Sequence, residues 1–102
     1  MVKELTLEAD IERAACKFAF LLGVDSPKLV VASQASWPDR TFLYRGRVMF
    51  IEFKQKGKKP SPLQEMRLRQ LRNQGFRADV CDDLESAKHL IQEFKRYADD
   101  NQ

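Results

Sequence analysis

Two acids and a lysine stand where charged side chains are unusual. Asp39 follows a proline, and thirteen positions later Glu52 and Lys54 stand at the end of the apolar run VMFIEFK. Charged residues avoid such runs unless they are paired or bind a metal. Two carboxylates that converge at a sheet edge form a hard-oxygen site suited to Mg²⁺ or Mn²⁺. A nearby ammonium can orient a water and stabilise charge on a phosphate, so this set could perform phosphodiester hydrolysis.

The same residues also have a purely structural interpretation, as an Asp in a turn and a Glu–Lys pair on a strand. Because short motifs carry a high false-positive risk, Glu-x-Lys alone favours that interpretation. With the preceding Pro38-Asp39 and the apolar strand, the sequence supports the catalytic and the structural interpretation about equally. Side chains alternate along a strand, so Glu52 and Lys54 are expected on one face, with Ile51 and Phe53 on the other.

The charge distribution points to a polyanionic partner. The 102 residues carry a net charge of +3, but residues 40–77 hold eleven Lys and Arg against two acids, a net of +9. A concentrated basic segment is typical of nucleic-acid binding, although a solvated charged surface is the alternative. The length suits a single domain over residues 1–102. No apolar run approaches a membrane span, so no membrane association is expected. The two cysteines are expected to be buried free thiols in a reducing, cytoplasmic compartment.

Hydrophobic periodicity predicts the order α-β-β-β-α-β-α, an α/β domain with a small sheet packed by helices. Thr6, Ser61 and one of Asp82 or Asp83 are the predicted helix N-caps. The predicted helices cover residues 6–22, 62–74 and 84–98, and the predicted strands cover 28–33, 41–45, 47–54 and 76–81.

The order of the motifs resembles a known nuclease family. Pro-Asp followed by Glu-x-Lys is similar to the core of the restriction-endonuclease-like, PD-(D/E)XK superfamily. With LEADIERAACKFA before it and KPSPLQEMRLRQLRNQGFRADVCDDLESA after it, the pattern resembles the virus-type replication-repair nuclease (VRR-NUC) domain over about residues 5–90. The family commonly has Gly before the Pro, where this chain has Trp37. The resemblance implies a restriction-endonuclease-like small mixed sheet flanked by helices.

The resemblance also implies roles for individual residues. The implied metal-binding acids are Asp39, Glu52 and the first-helix acid Glu8, and the implied catalytic set adds Lys54 and Gln64. Two alternatives remain open. Glu12, one helical turn after Glu8, could take its place. Gln64 could serve only as a cap, because Ser-x-x-Gln is a capping box.

The resemblance implies a Mg²⁺- or Mn²⁺-dependent DNA endonuclease that prefers branched or four-way junction DNA. A non-catalytic nucleic-acid-binding module with a nuclease-like fold is the alternative. Because cutting both strands of a junction needs two active sites, a homodimer is expected. A phage or prophage origin in a bacterial host would fit a domain of this size. The residues expected to contact DNA phosphates are Lys56, Lys58, Lys59, Arg67 and Arg40.

Overall fold

Helices and strands alternate in the order α-β-β-α-β-α in the computed structural model, which describes residues 4–32 and 35–102. Each apolar stripe predicted from the sequence forms a helix, and each alternating run after residue 39 forms a strand. None of the helices in the described residues is long and apolar enough to cross a membrane. The elements are α1 (Glu8–Leu21), β1 (Arg40–Tyr44), β2 (Arg47–Phe53), α2 (Pro62–Asn73), β3 (Arg77–Cys81) and α3 (Leu84–Asp100).

The predicted strand over residues 28–33 is wrong for the part that the structure describes, since residues 28–32 are in no strand; Ser33 lies outside the described residues. Pairing with β1 occurs earlier instead. Asp25 forms an isolated antiparallel bridge with Leu43, and the Pro27 carbonyl accepts from the Thr41 N–H. Beyond Pro27 the apolar Val30 side chain is 94% exposed, so it has no apolar surface to pack against. A β-branched run without a buried face does not form a stable strand.

The helix caps follow the sequence with one exception. Ser61 and Asp83 cap α2 and α3, as predicted, and each side chain accepts a backbone N–H of its helix. Thr6 is not the cap of α1; Leu7 holds that position, without a side-chain hydrogen bond. The Thr6 carbonyl instead accepts from the Lys56 N–H at 2.9 Å, which ties the start of α1 to the loop after β2.

The sheet is mixed and has β2 at its centre. Strand β1 pairs antiparallel with β2, and β3 pairs parallel with β2. The β1–β2 turn consists of Arg45 and Gly46, both with positive φ, the backbone of the two-residue hairpin turn that suits sheet twist. Arg40 faces Ile51 in the register, so the residue before β1 is brought opposite Glu52.

Alternation along β2 divides the interior between the two faces of the sheet. Met49, Ile51 and Phe53 pack with α1 and α3. Phe50 packs with Leu68 and other residues on the α2 side. Glu52 therefore projects toward α2 from a strand that is buried on both faces. The predicted α/β class is confirmed, as a small mixed sheet flanked by helices.

Candidate active site

Asp39 is fastened to the end of the central strand. Its Oδ2 accepts the Phe53 N–H at 2.7 Å, so the turn before β1 is joined to the last residue of β2. Pro38 is buried beside it, and Trp37 packs edge-on against Phe50 with ring centroids 5.7 Å apart. Trp37 is thus half-buried against the cluster on the α2 side, where its side chain supplies packing that a glycine at this position would not.

Glu52 is a buried carboxylate with two donors on one oxygen. The residue is 2% exposed. Its Oε2 accepts from Gln64 Nε2 at 2.9 Å and lies 3.3 Å from Lys54 Nζ. Since a buried carboxylate needs compensating partners, these two side chains make its burial tolerable. No donor in residues 4–32 or 35–102 forms a hydrogen bond with the other oxygen, Glu52 Oε1. This oxygen can therefore bind a further ligand.

Glu8 completes a group of three acids. Single carboxylate oxygens of Glu8, Asp39 and Glu52 all lie within 4.8 Å of one another. Glu8 reaches them from the exposed first turn of α1, which the Thr6–Lys56 contact holds near the end of β2. The alternative acid, Glu12, is not in this group.

The three acids repel one another when no cation is present. Burial, assisted by the Asp39 carboxylate and opposed by Lys54, raises the pKa of Glu52 from 4.5 to about 7. Burial also raises the pKa of Asp39; the Phe53 N–H offsets part of this, and Glu12 and Glu8 add to it. Three carboxylates at this spacing, with Lys54 as the one cation paired to them among the described ion pairs, keep a net negative charge and fit a hard divalent cation such as Mg²⁺ or Mn²⁺.

Gln64 bonds to the helix terminus and to the acid group at once. Its Oε1 accepts the Ser61 N–H at 2.9 Å, and its Nε2 donates to Glu52 Oε2 at 2.9 Å. The Ser61 hydroxyl accepts the Gln64 N–H, which completes the capping box. Because the Ser61 N–H must meet the amide oxygen, the amide nitrogen is turned toward Glu52. Capping and contact with the acid group are therefore compatible.

The five residues expected to contact DNA differ in their surroundings. Lys58 and Lys59 are exposed and form no ion pair within the described residues. Lys56 pairs with Glu4. Arg67 donates to Gln70 and to the Ala35 carbonyl and lies over the Trp37 ring. Arg40 pairs with Glu12 at 2.6 Å. The two free lysines stand on the loop that follows Lys54.

Sequence reasoning missed two supports of the site. The sequence indicates Asp82 only as a possible helix cap, but its Oδ2 accepts the Gly57 N–H at 3.1 Å and so holds the loop that carries Lys56, Lys58 and Lys59. Gly57 has φ +83°, a left-handed conformation that favours glycine. The second support is the Glu12–Arg40 pair. The signal for it was weak, since opposite charges 28 positions apart do not reveal a contact.

Comparison with known proteins returned one kind of match. No protein-family model and no curated protein matches the chain. Among solved structures, the chain is similar to one described as a VRR_NUC domain, with 26% sequence identity and a TM-score of 0.79. The similarity covers 88% of this chain and 99% of that one. The fold of the solved domain agrees with the motif order from Glu8 to Gln64, and together they support identification of the chain as a VRR_NUC domain.

Proposed function

We propose that this chain is a divalent-metal-dependent endonuclease that hydrolyses phosphodiester bonds in DNA. The observation that carries the proposal is the convergence of oxygens from Glu8, Asp39 and Glu52 within 4.8 Å. A module that only binds DNA has no use for three acids beside phosphates, because they would repel its ligand. The acids acquire a function only when a cation lies between them and the substrate.

Mg²⁺ or Mn²⁺ is the proposed cofactor, held by these three carboxylates. Asp39 and Glu52 each use one carboxylate oxygen to accept a hydrogen bond from the protein. The donor is the Phe53 N–H for Asp39 and Gln64 Nε2 for Glu52. The donors orient each carboxylate, as outer contacts commonly do for metal ligands. When bound, the cation would offset the negative charge that develops at phosphorus.

Lys54 is proposed to assist the attacking water in catalysis. It directly follows β2, its side chain is only 17% exposed, and its Nζ is 3.3 Å from Glu52 Oε2. An ammonium held at that point can orient the attacking water and stabilise charge on the phosphate oxygens. Gln64 donates to the same Glu52 oxygen and is proposed to keep the carboxylate aimed at the metal.

Lys58 and Lys59 are the proposed primary phosphate contacts, since both are exposed on the loop next to Lys54. Such contacts set affinity and position rather than sequence choice. Lys56 and Arg67 remain proposed contacts, although DNA would compete there with Glu4, Gln70 and the Ala35 carbonyl.

We further propose a preference for branched or four-way junction DNA and a homodimer that supplies two active sites. Both follow from the family resemblance, as does a phage or prophage origin and action in the bacterial cytoplasm. The two free thiols, Cys16 and Cys81, are in keeping with a reducing compartment.

One experiment tests the function. Purified protein is incubated with labelled linear, flapped and four-way DNA in Mg²⁺, Mn²⁺ or EDTA. Metal-dependent cleavage is expected, with loss in Asp39→Asn and Lys54→Ala. Asp10→Asn is the matched control, because this half-exposed acid pairs with Arg13 outside the acid group.

Cleavage that survives EDTA, or that Asp39→Asn leaves unchanged, would contradict the metal mechanism. Binding without cleavage in either metal would favour the non-catalytic module. Equal cleavage of linear and branched DNA would contradict the structural preference. Light scattering that shows a monomer at micromolar concentration while both strands of a junction are cut would contradict the dimer.

A further inference from the structure

Arg40 makes two contacts that join three segments of the chain. Its Nε donates to Glu12 Oε2 of α1 at 2.6 Å, and Nη1 donates to the Ser26 carbonyl at 3.0 Å. The side chains of Arg40 and Glu12 are 26% and 13% exposed. A partly buried ion pair is screened less by water and salt than an exposed one, so this contact constrains the backbone more strongly than a surface pair.

The pair lies beside two of the proposed metal-binding acids. Arg40 directly follows Asp39 in the chain. Glu12 follows Glu8 by one helical turn, which places the two glutamates on the same side of α1. Helix α1 packs chiefly on α3 and on β2. The Arg40–Glu12 pair therefore adds a direct link between the helix that carries Glu8 and the strand that begins next to Asp39.

Arg40 also holds a fourth carboxylate away from the acid group. Glu12 pairs with Arg40, the residue next to Asp39, yet its oxygens are not among the three that converge. The guanidinium offsets the charge of Glu12 and fixes its direction. Without Arg40, an uncompensated carboxylate would lie next to Asp39 and would be free to turn toward it.

We propose that Arg40 and Glu12 are positioning residues of the metal site. Their ion pair holds the first turns of α1 against the start of β1, so that Glu8 and Asp39 present their oxygens to the same ion. The inference rests on the proposed function, because it concerns the same metal. It replaces the sequence-based assignment of Arg40 as a DNA contact.

The two assignments of Arg40 differ in what they predict for Glu12. If Arg40 contacts DNA, removal of the Glu12 charge frees the guanidinium and strengthens DNA binding. If the pair positions the acids, removal of Glu12 weakens metal binding and leaves DNA binding in EDTA unchanged. The readouts are therefore Mn²⁺ affinity of the free protein and DNA affinity without metal.

The test is a calorimetric titration of the metal-free full chain with Mn²⁺, without DNA. Arg40→Ala and Glu12→Ala are each expected to weaken Mn²⁺ binding about tenfold, the usual scale for groups that orient metal ligands. The double variant is expected to lose no more than either single one, because both remove the same pair. Glu93→Ala is the matched control: it breaks the Arg77–Glu93 pair, with its 3.7 Å contact, and should leave Mn²⁺ affinity unchanged.

Arg40→Lys provides a second variant that keeps the charge but cannot donate to Glu12 and Ser26 in the same fork geometry. It is expected to bind Mn²⁺ with an affinity between those of wild type and Arg40→Ala, and it serves if Arg40→Ala does not fold. Wild-type Mn²⁺ affinity in the folded variants would overturn the inference, whatever their thermal stability. So would tighter DNA binding by Glu12→Ala in EDTA. A wild-type chain that binds no Mn²⁺ would overturn the proposed function as well, which separates the two failures.

Discussion

Replacement of Glu52 by glutamine should stabilise the metal-free protein while it removes metal binding. Glu52 is 2% exposed, and burial is the main cause that raises the pKa of its carboxyl from 4.5 to about 7. Each tenfold change in proton affinity corresponds to about 1.4 kcal/mol, so the ionised carboxylate costs the folded state about 3 kcal/mol above pH 7. The amide side chain of the Glu52→Gln variant keeps an oxygen that can accept from Gln64 and Lys54, and it carries no charge.

The sign of the pH dependence follows from the raised pKa. Below pH 4.5 Glu52 is protonated in both the folded and the unfolded states, so the substitution has little effect. Between pH 4.5 and 7 the folded state holds the proton more tightly, so wild-type stability falls as the pH rises. The advantage of Glu52→Gln should be below about 1 kcal/mol at pH 5 and about 3 kcal/mol at pH 8.

Urea unfolding in EDTA at pH 5, 6, 7 and 8 measures this difference in the free energy of unfolding. Excess Mn²⁺ should then stabilise the wild type at pH 8 and leave Glu52→Gln unchanged, because only a ligand that binds the folded state stabilises it. Asp10→Asn is the control for loss of an acid outside the acid group. An equal gap at pH 5 and pH 8, or a less stable Glu52→Gln at pH 8, would refute the reasoning.

Three further predictions concern the groups around the acids. Lys54→Ala should slow single-turnover cleavage at pH 8 by at least about 100-fold while Mn²⁺ binding persists; comparable cleavage by wild type and variant would contradict the assigned role. Ser61→Ala should lower the free energy of unfolding by about 1 kcal/mol but keep cleavage, because the Ser61 backbone N–H still orients Gln64. Gln64→Ala should lose both stability and cleavage. Equal cleavage by the two variants would show that Gln64 is only a cap. In filter-binding assays, Lys58→Ala and Lys59→Ala should each reduce the slope of log DNA affinity against log salt concentration by about 0.9. Arg96→Ala, near the C-terminal end of α3, is the control and should leave the slope unchanged. An unchanged slope in the lysine variants would exclude phosphate contact by the loop after Lys54.

Local sequence was sufficient for most elements and for the core of the site. The alternation in β2, the Ser61 and Asp83 caps and the turn at Gly46 depend on residues close in sequence, so their chemistry is visible without the fold. For the same reason Glu52 and Lys54 could be placed on one strand face. The predicted strand at residues 28–33 shows the limit, because its β-branched composition says nothing of whether a buried face exists for it.

The tertiary structure decided which acids and cations meet. Glu8 and Glu12 lie one turn apart on the same helix face, and only the approach of α1 to β1 pairs Glu12 with Arg40 and brings Glu8 to the acid group. Gln64 could be a cap by its position in sequence, but its second bond depends on where α2 lies over β2. The sequence by itself thus determined the residue types and the strand that carries them. Their partners were decided only by contacts between segments distant in the chain, which local pattern does not encode.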